Sequence, residues 1–213
     1  MIEPALALID FSSIASGIQA ADAMVKRAPV GTIRAGTVQP GRYLVLVGGE
    51  VADVEEALSA GRTIGGSSVL GHVFLPSVHP EVVEAIVGSR APAPTDALGV
   101  VETNTAAAAI NAADAGIKSA LVQLVEIRLA DGLGGKGIVL YSGVVADVEI
   151  AVESGSGAVE PGLLVNQVII PQLHPEIWDN ISDATPFSER VGGARPSVAS
   201  APAVAGTQAV ETA

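Results

Sequence analysis

The hydrophobic pattern of this chain changes period several times, and then repeats the same changes in the same order. A short apolar run at residues 5–9, ALALI, predicts a strand. Behind it Ile14, Ile18, Ala21 and Val25 recur at spacings of four, three and four, which predicts a helix whose apolar stripe faces a sheet. TIRAGTV and RYLVLVG, separated by a Gly-containing turn, predict a hairpin. A second helix starts near VADVE, and after Gly-rich turns SSVLGHVFLP supplies a last strand.

The same series begins again at Ala97. ALGVVETNTAAAAINAADAGIKSALV answers ALALIDFSSIASGIQAADAMVKRAPV from Ala5, 92 residues earlier, with Ala106, Ile110, Ala113 and Ile117 repeating the helical stripe. VADVE at Val51 to Glu55 recurs at Val145 to Glu149, now 94 residues on. FLPSVHPEV and IIPQLHPEI set His79 against His174 and Glu81 against Glu176 at a separation of 95. Collinear matches with a slowly growing offset are the mark of a duplicated domain that gained a few residues. The expected halves are residues 5–90 and 97–182, joined by APAPTD at 91–96. Each half reads βαββαβ, so the fold class is α+β: two tandem ferredoxin-like units, each a small antiparallel sheet with helices on one face.

Composition narrows the chemistry. The chain is 49% hydrophobic but only 3% aromatic and 16% charged, so burial must come from Ala, Val, Ile and Leu, and many small residues suggest extensive close contact. With no cysteine, disulfides and cysteine-ligated zinc or iron–sulfur centres are excluded. The net charge is −12 and the 11 Lys and Arg are scattered, so a footprint for nucleic-acid phosphates is missing. The acidity is read as solubility, with a preference for cationic partners as the sharper alternative. No apolar run approaches a membrane span and no signal peptide is evident, so a soluble cytoplasmic protein is expected. From Pro186 the chain turns to Ala, Pro, Ser and Gly, and residues 186–213 are expected to be disordered, either as a solvated tail or as a tether that orders on a partner.

Three features together carry a family resemblance over residues 5–182. They are AADAMVK and AADAGIK from Ala20 and Ala112, the hairpins running into GGEVADVE and SGVVADVE, and a P-x-x-H ending in each half. The chain resembles the shell proteins of bacterial microcompartments in their tandem-domain form, and in the unpermuted, non-gated type because both halves start at the first strand. Single-domain members of that family form flat hexamers, and tandem members form trimers that imitate them. The resemblance therefore implies a structural, non-enzymatic homotrimer with a central pore, tiled into a shell with hexameric and pentameric partners and open to small metabolites.

Carried over residue by residue, the resemblance implies a pore lined by Thr37, Val38, Gln39, Pro40 and Gly41 from one half and by Asp131, Gly132, Leu133, Gly134 and Gly135 from the other. On composition alone these are only turns. A ring of Asp131 carboxylates pointing inward would favour cations, whereas backbone N–H groups at Gly134 and Gly135 would meet small polar or anionic metabolites. Lys26 and Lys118 match the family's tile-edge lysine; the plainer reading is an i, i+4 pair with Asp22 and Asp114 on an exposed helix face. His79 and His174 are read as interface or packing residues rather than metal ligands. Both endings lack the family's frequent P-R-P-H arginine, having Ser77 and Val78 in one half and Gln172 and Leu173 in the other. Some tandem relatives hold an iron–sulfur cluster at the axis through cysteine; without cysteine, no cofactor or metal is expected here.

Two other classes were weighed against this one. Tandem ferredoxin-like halves also serve in small-molecule-binding or signalling proteins, which would give a compact oligomer that never forms sheets. An enzyme finds little support: Glu102, Glu126 and Asp131 have no histidine near them in sequence, and GLGGKG at Gly132 runs into a strand rather than a helix.

Overall fold

Each half begins with a strand that is apolar on both sides, and the reason lies in what covers it. The computed structural model describes residues 4–90 and 96–182. In the first half, β1 (Ala5–Phe11), α1 (Ile14–Arg27), β2 (Thr32–Val38), β3 (Arg42–Gly49), α2 (Val51–Gly65) and β4 (Val69–Leu75) follow the expected order. The second half repeats it as β5 (Ala97–Thr103), α4 (Ala106–Ser119), β6 (Gln123–Leu129), β7 (Gly137–Gly143), α5 (Val145–Gly157) and β8 (Leu164–Pro171). The sheets are antiparallel with orders β2-β3-β1-β4 and β6-β7-β5-β8. Two helices were not anticipated: α3 (Pro80–Ile86), and α6 (Pro175–Ser182), which opens a separate unit from Pro175 onward. The linker residues 91–95 and the tail expected at 186–213 lie outside the described residues.

Local chemistry sets the helix starts. Ser13 Oγ accepts from Ser16 N at 3.3 Å and Thr105 Oγ1 from Ala108 N at 3.2 Å, so the same N-cap opens α1 and α4. At α3 the cap is His79, whose Nδ1 accepts from Glu81 N at 3.3 Å, with Pro80 in the first turn. The P-x-x-H ending is therefore also a helix start, which the hydrophobic pattern alone did not mark.

Alternation along β1 separates two cores. Ala5, Ala7, Ile9 and Phe11 pack with Ala20 and Met24 of α1 and with Val54, Ala57 and Leu58 of α2. Leu6 and Leu8 belong to a larger cluster with Val73, Leu75, Val78 and Val82, joined there by Ala106, Ile110, Ala113 and Ile117 of α4. The second half thus lays its first helix across the first half's sheet, and the β1–β4 side of that sheet is covered on both faces. Helix α3 likewise packs on β6 and α4.

This arrangement corrects the reading of the helical stripe. In α4 the stripe is buried, but against the sheet of the other half as well as its own. In α1, Ile14, Ile18 and Val25 are exposed, and the residues buried on the home sheet are Gly17, Ala20 and Met24. The exposed-face reading of the lysine pairs also divides. Asp22 and Lys26 form an exposed pair at 2.6 Å, whereas Asp114 is buried where the halves meet.

Candidate functional site

The seam between the halves has two polar ends. At one end lie the β2–β3 and β6–β7 turns. The first is short, with Gly41 N donating to Val38 O at 3.0 Å across Gln39 and Pro40. The second runs from Asp131 to Gly135 and closes with Ala130 N donating to Lys136 O at 2.8 Å. Strand pairing aligns Val38 and Arg42 with Ala130 and Lys136, so the growth of the offset from 92 to 94 is the length difference between these turns. Thr37 and Val38 lie in β2 itself. Gly132, Gly134 and Gly135 all have positive φ, 72°, 64° and 86°, so the longer turn needs glycine there.

The two turns touch. Asp131 Oδ1 accepts from Gln39 N at 3.2 Å, which ties that carboxylate sideways onto the neighbouring turn. Arg42, at the head of β3, donates from Nη1 to Gly135 O at 2.8 Å, to Asn104 O at 3.0 Å and to Asp10 Oδ2 at 3.3 Å. The same Asp10 oxygen accepts from Ala106 N, the first residue of α4, at 3.3 Å. A carboxylate is favoured there by the positive end of the helix. Asp10 is fully buried and its Oδ1 has no hydrogen-bond partner. Burial pushes its carboxyl above the ordinary aspartate value, against the opposing pull of Arg42 and of the Ala106 N–H.

At the other end of the seam, Asp114 Oδ1 accepts from His79 N at 2.8 Å and its Oδ2 from Lys118 Nζ at 2.5 Å. Lys118 also donates to Ser77 O. The P-S-V-H ending of the first half is thus held by the AADAGIK helix of the second. His79 contributes its backbone and caps α3; His174 occupies the equivalent place after β8 and is exposed. Among the described residues no three His, Asp or Glu side chains gather where they could hold a metal ion.

The two other acidic residues weighed as catalytic candidates, Glu126 and Glu102, have structural partners. Glu126 pairs with Arg90 and with Arg128, and Glu102 Oε1 accepts from Lys136 Nζ at 2.7 Å. Sequence reasoning missed Asp10, Arg42 and Lys136. The signal was present as one acidic residue inside each mainly apolar first strand and one basic residue at, or just before, the start of each third strand. His72, also missed, stands in an open groove with Arg62 and Glu160; burial and then Arg62 lower its imidazole, with Glu160 opposing.

Two βαββαβ units joined by a seam, with paired turns at one end, define a tandem α+β protein. The model of the BMC domain matches residues 5–78 and again 97–173, and the chain belongs to that family in its tandem form. It is 38% identical to the bacterial microcompartment shell protein PduT of Citrobacter freundii over 175 residues, which is 82% of this chain and 95% of that one. It is 28% identical to the carboxysome assembly protein CcmO of Synechococcus elongatus, covering 87% of this chain and 71% of that one. Among solved structures, a microcompartments protein from Desulfitobacterium hafniense DCB shares 44% identity and a TM-score of 0.70, over 83% of this chain and 98% of that chain. The role of the chain is accordingly structural, in the shell of a bacterial microcompartment. No described helix is long and apolar enough to cross a membrane.

Proposed function

We propose that three copies of this chain close head to tail into a ring of six βαββαβ units, a tile that imitates a hexamer, acts without catalysis and passes small metabolites through its centre. The observation that carries this reading is an unmatched pair of faces. Within the chain, the α4 stripe covers the β1–β4 side of the first sheet's outer face; the α1 stripe and the β8 side of the second sheet's outer face are the corresponding two surfaces and are open, while Leu98 and Leu140 farther in on that sheet are buried. Val73 of β4 is 4% exposed, whereas Val168, its counterpart in β8, is 43% exposed. A heterologous contact that repeats an internal seam generates a closed ring when its rotation divides the circle. Two units per chain in a six-unit ring require three chains.

The polar ends of the seam support the placement of pore and edge. Ala106 and Lys118 stand 12 residues apart on α4, roughly 18 Å along the axis at about 1.5 Å per residue. The turns with Thr37, Val38, Gln39, Pro40 and Gly41 and with Asp131, Gly132, Leu133, Gly134 and Gly135 would ring the opening, short and long alternating. Lys26, Lys118, Asp22, Asp114, His79 and His174 would lie toward the rim, where hexameric and pentameric tiles adjoin. The halves are taken as 5–90 and 97–182. Because Asp131 is spent on Gln39 N–H, its charge would sit at the joint between turns.

Sedimentation of the purified protein, followed by electron microscopy after co-expression with single-domain shell proteins, tests the reading. A mass of three chains that enters sheets or closed shells is expected. A species of one or two chains that never assembles would overturn it and bring the ligand-binding alternative forward.

A further inference from the structure

We propose that Glu102 and Lys136 form a clamp that holds the start of helix α1 of a second copy of this chain, as Asp10 and Arg42 hold the start of α4 within one chain. The inference rests on the ring reading above and assigns residues to the part of the chain-to-chain contact beside the opening.

The template is complete on one side of the molecule. Asp10 lies opposite Leu44 in the β1–β3 pairing, and Arg42 stands two residues before Leu44. Together they hold three backbone groups of the second half: Ala106 N–H, Asn104 O and Gly135 O. Glu102 lies opposite Ile138 in the β5–β7 pairing, and Lys136 stands two residues before Ile138. The acid on the first strand and the cation heading the third strand therefore recur at identical positions. Among the described residues, neither side chain has a hydrogen-bond partner beyond the other. Lys136 and Glu102 bond to each other at 2.7 Å and stay partly open, whereas Asp10 is sealed.

The targets recur as well. Counting back by the repeat, Ile14 N–H answers Ala106 N–H, Ser12 O answers Asn104 O, and Gly41 O answers Gly135 O. Ser12, Ile14 and Gly41 are all exposed. The chemistry fits the place: a carboxylate opposite the first N–H of a helix meets the positive end of its dipole, and an ammonium has three donors, one for Glu102 and two for carbonyls. Continuity with the internal seam commits the site to one occupant, another copy of this chain. The apolar part of the contact brings Ile18 and Val168 out of water beside it, so the clamp would be desolvated on closure and sealed like its template.

Sedimentation across protein concentration, with circular dichroism to follow folding, tests the clamp in four forms of the full chain. Glu102→Ala with Lys136→Ala should raise the concentration of half-assembly at least about tenfold, the effect of losing one charge-assisted hydrogen bond, and leave monomer unfolding unchanged. Glu102→Gln alone, which keeps the side-chain shape, should act in the same direction. The exchange Glu102→Lys with Lys136→Glu should assemble no better than the alanine pair, because it sets an ammonium against a helix N-terminus. Glu102→Asp with Lys136→Arg, which copies the template, should assemble like the unaltered chain. Assembly of the alanine pair at ordinary concentrations, or rescue by the exchange, would overturn the clamp and leave only an ion pair within one chain. An unaltered chain that never exceeds the mass of one copy would instead sink the ring reading, a result distinct from either.

Discussion

Ile18 of α1 and Ile110 of α4 hold the same position in two copies of one helix, yet Ile18 is 53% exposed and Ile110 is 0% exposed. Both helices share an N-cap hydroxyl, an AADA centre and a lysine bound to an aspartate four residues earlier. Only α4 has another half to lie against. A helix's apolar stripe therefore does not by itself tell whether the rest of the same chain covers it.

The inner packing of the halves differs in a compensating way. Gly17 leaves room for Tyr43, whose aromatic carbons would stand 2.6 Å from a Cβ added there. At the equivalent places the second half has Ala109 and Gly137, and here the strand supplies the glycine. Met24 fills a space beside Gly61 in the first half; in the second, Gly116 and Gly155 make way for Tyr141, whose hydroxyl donates to Ala112 O at 2.6 Å. Burial pushes the Tyr141 phenol far above its usual range, so it stays a donor. What is kept between the copies is the filled volume between helix and strand, not the residue that fills it.

The largest break in the comparison should come from one substitution made twice. Ile110→Asp puts a carboxylate into a closed apolar layer and should cost more than about 4 kcal/mol, enough to unfold the chain. Ile18→Asp should leave urea unfolding of the monomer within about 0.5 kcal/mol of the original and block assembly. Equal destabilisation at both sites would mean that α1 is already covered within the chain.

How much of this was legible follows from what sequence periodicity encodes. The duplication, the element order and the turns were readable because each leaves a local pattern of period, glycine or repeat. The destination of the α1 stripe was not, because Ile14, Ile18 and Val25 look alike whether they face a home sheet or a neighbour. Helix α3 was missed since PEVVEAI is too short to show a period. The Asp10–Arg42 and Glu102–Lys136 pairs were missed because their members are 32 and 34 residues apart and meet only through strand pairing. The burial of Asp114 likewise depends on His79, 35 residues away.

Next in size is the Tyr141 exchange. Tyr141→Ala should cost about 3–5 kcal/mol in urea unfolding, as truncation of a buried aromatic does, and Tyr141→Phe about 1 kcal/mol for the lost hydrogen bond. Transplanting the first half's solution, Gly116→Met with Tyr141→Val, should recover much of the loss if volume is what the copies preserve. No recovery would mean that the bond to Ala112 O matters more than the filled space.

The lysines give a smaller contrast. Lys118→Ala removes partners from the buried Asp114 and from Ser77 O and should cost roughly 1–2 kcal/mol. Lys26→Ala breaks only an exposed i, i+4 pair, about 0.3–0.5 kcal/mol, and should weaken sheets of tiles while sparing the ring. Sheets that form normally in a Lys26→Ala, Lys118→Ala double variant would remove both residues from the tile edge.

Asp10 gives the smallest effect and the one with a defined sign in pH. Its carboxyl is raised in the folded protein, so between the ordinary aspartate value of 3.8 and that raised value the native state binds more protons than the unfolded state. Asp10 therefore contributes stability below the ordinary value, and that contribution is lost as pH rises through the raised value. Asp10→Asn keeps an oxygen for Arg42 and the Ala106 N–H and removes the buried charge, placing an amide NH2 where the unpartnered Oδ1 stood. The difference in urea midpoint between variant and original should accordingly shift in the variant's favour on going from acid to neutral pH, by on the order of one hydrogen bond, about 1 kcal/mol. A difference at Asp10 that is constant with pH would mean that Arg42 and the Ala106 N–H compensate the burial in full.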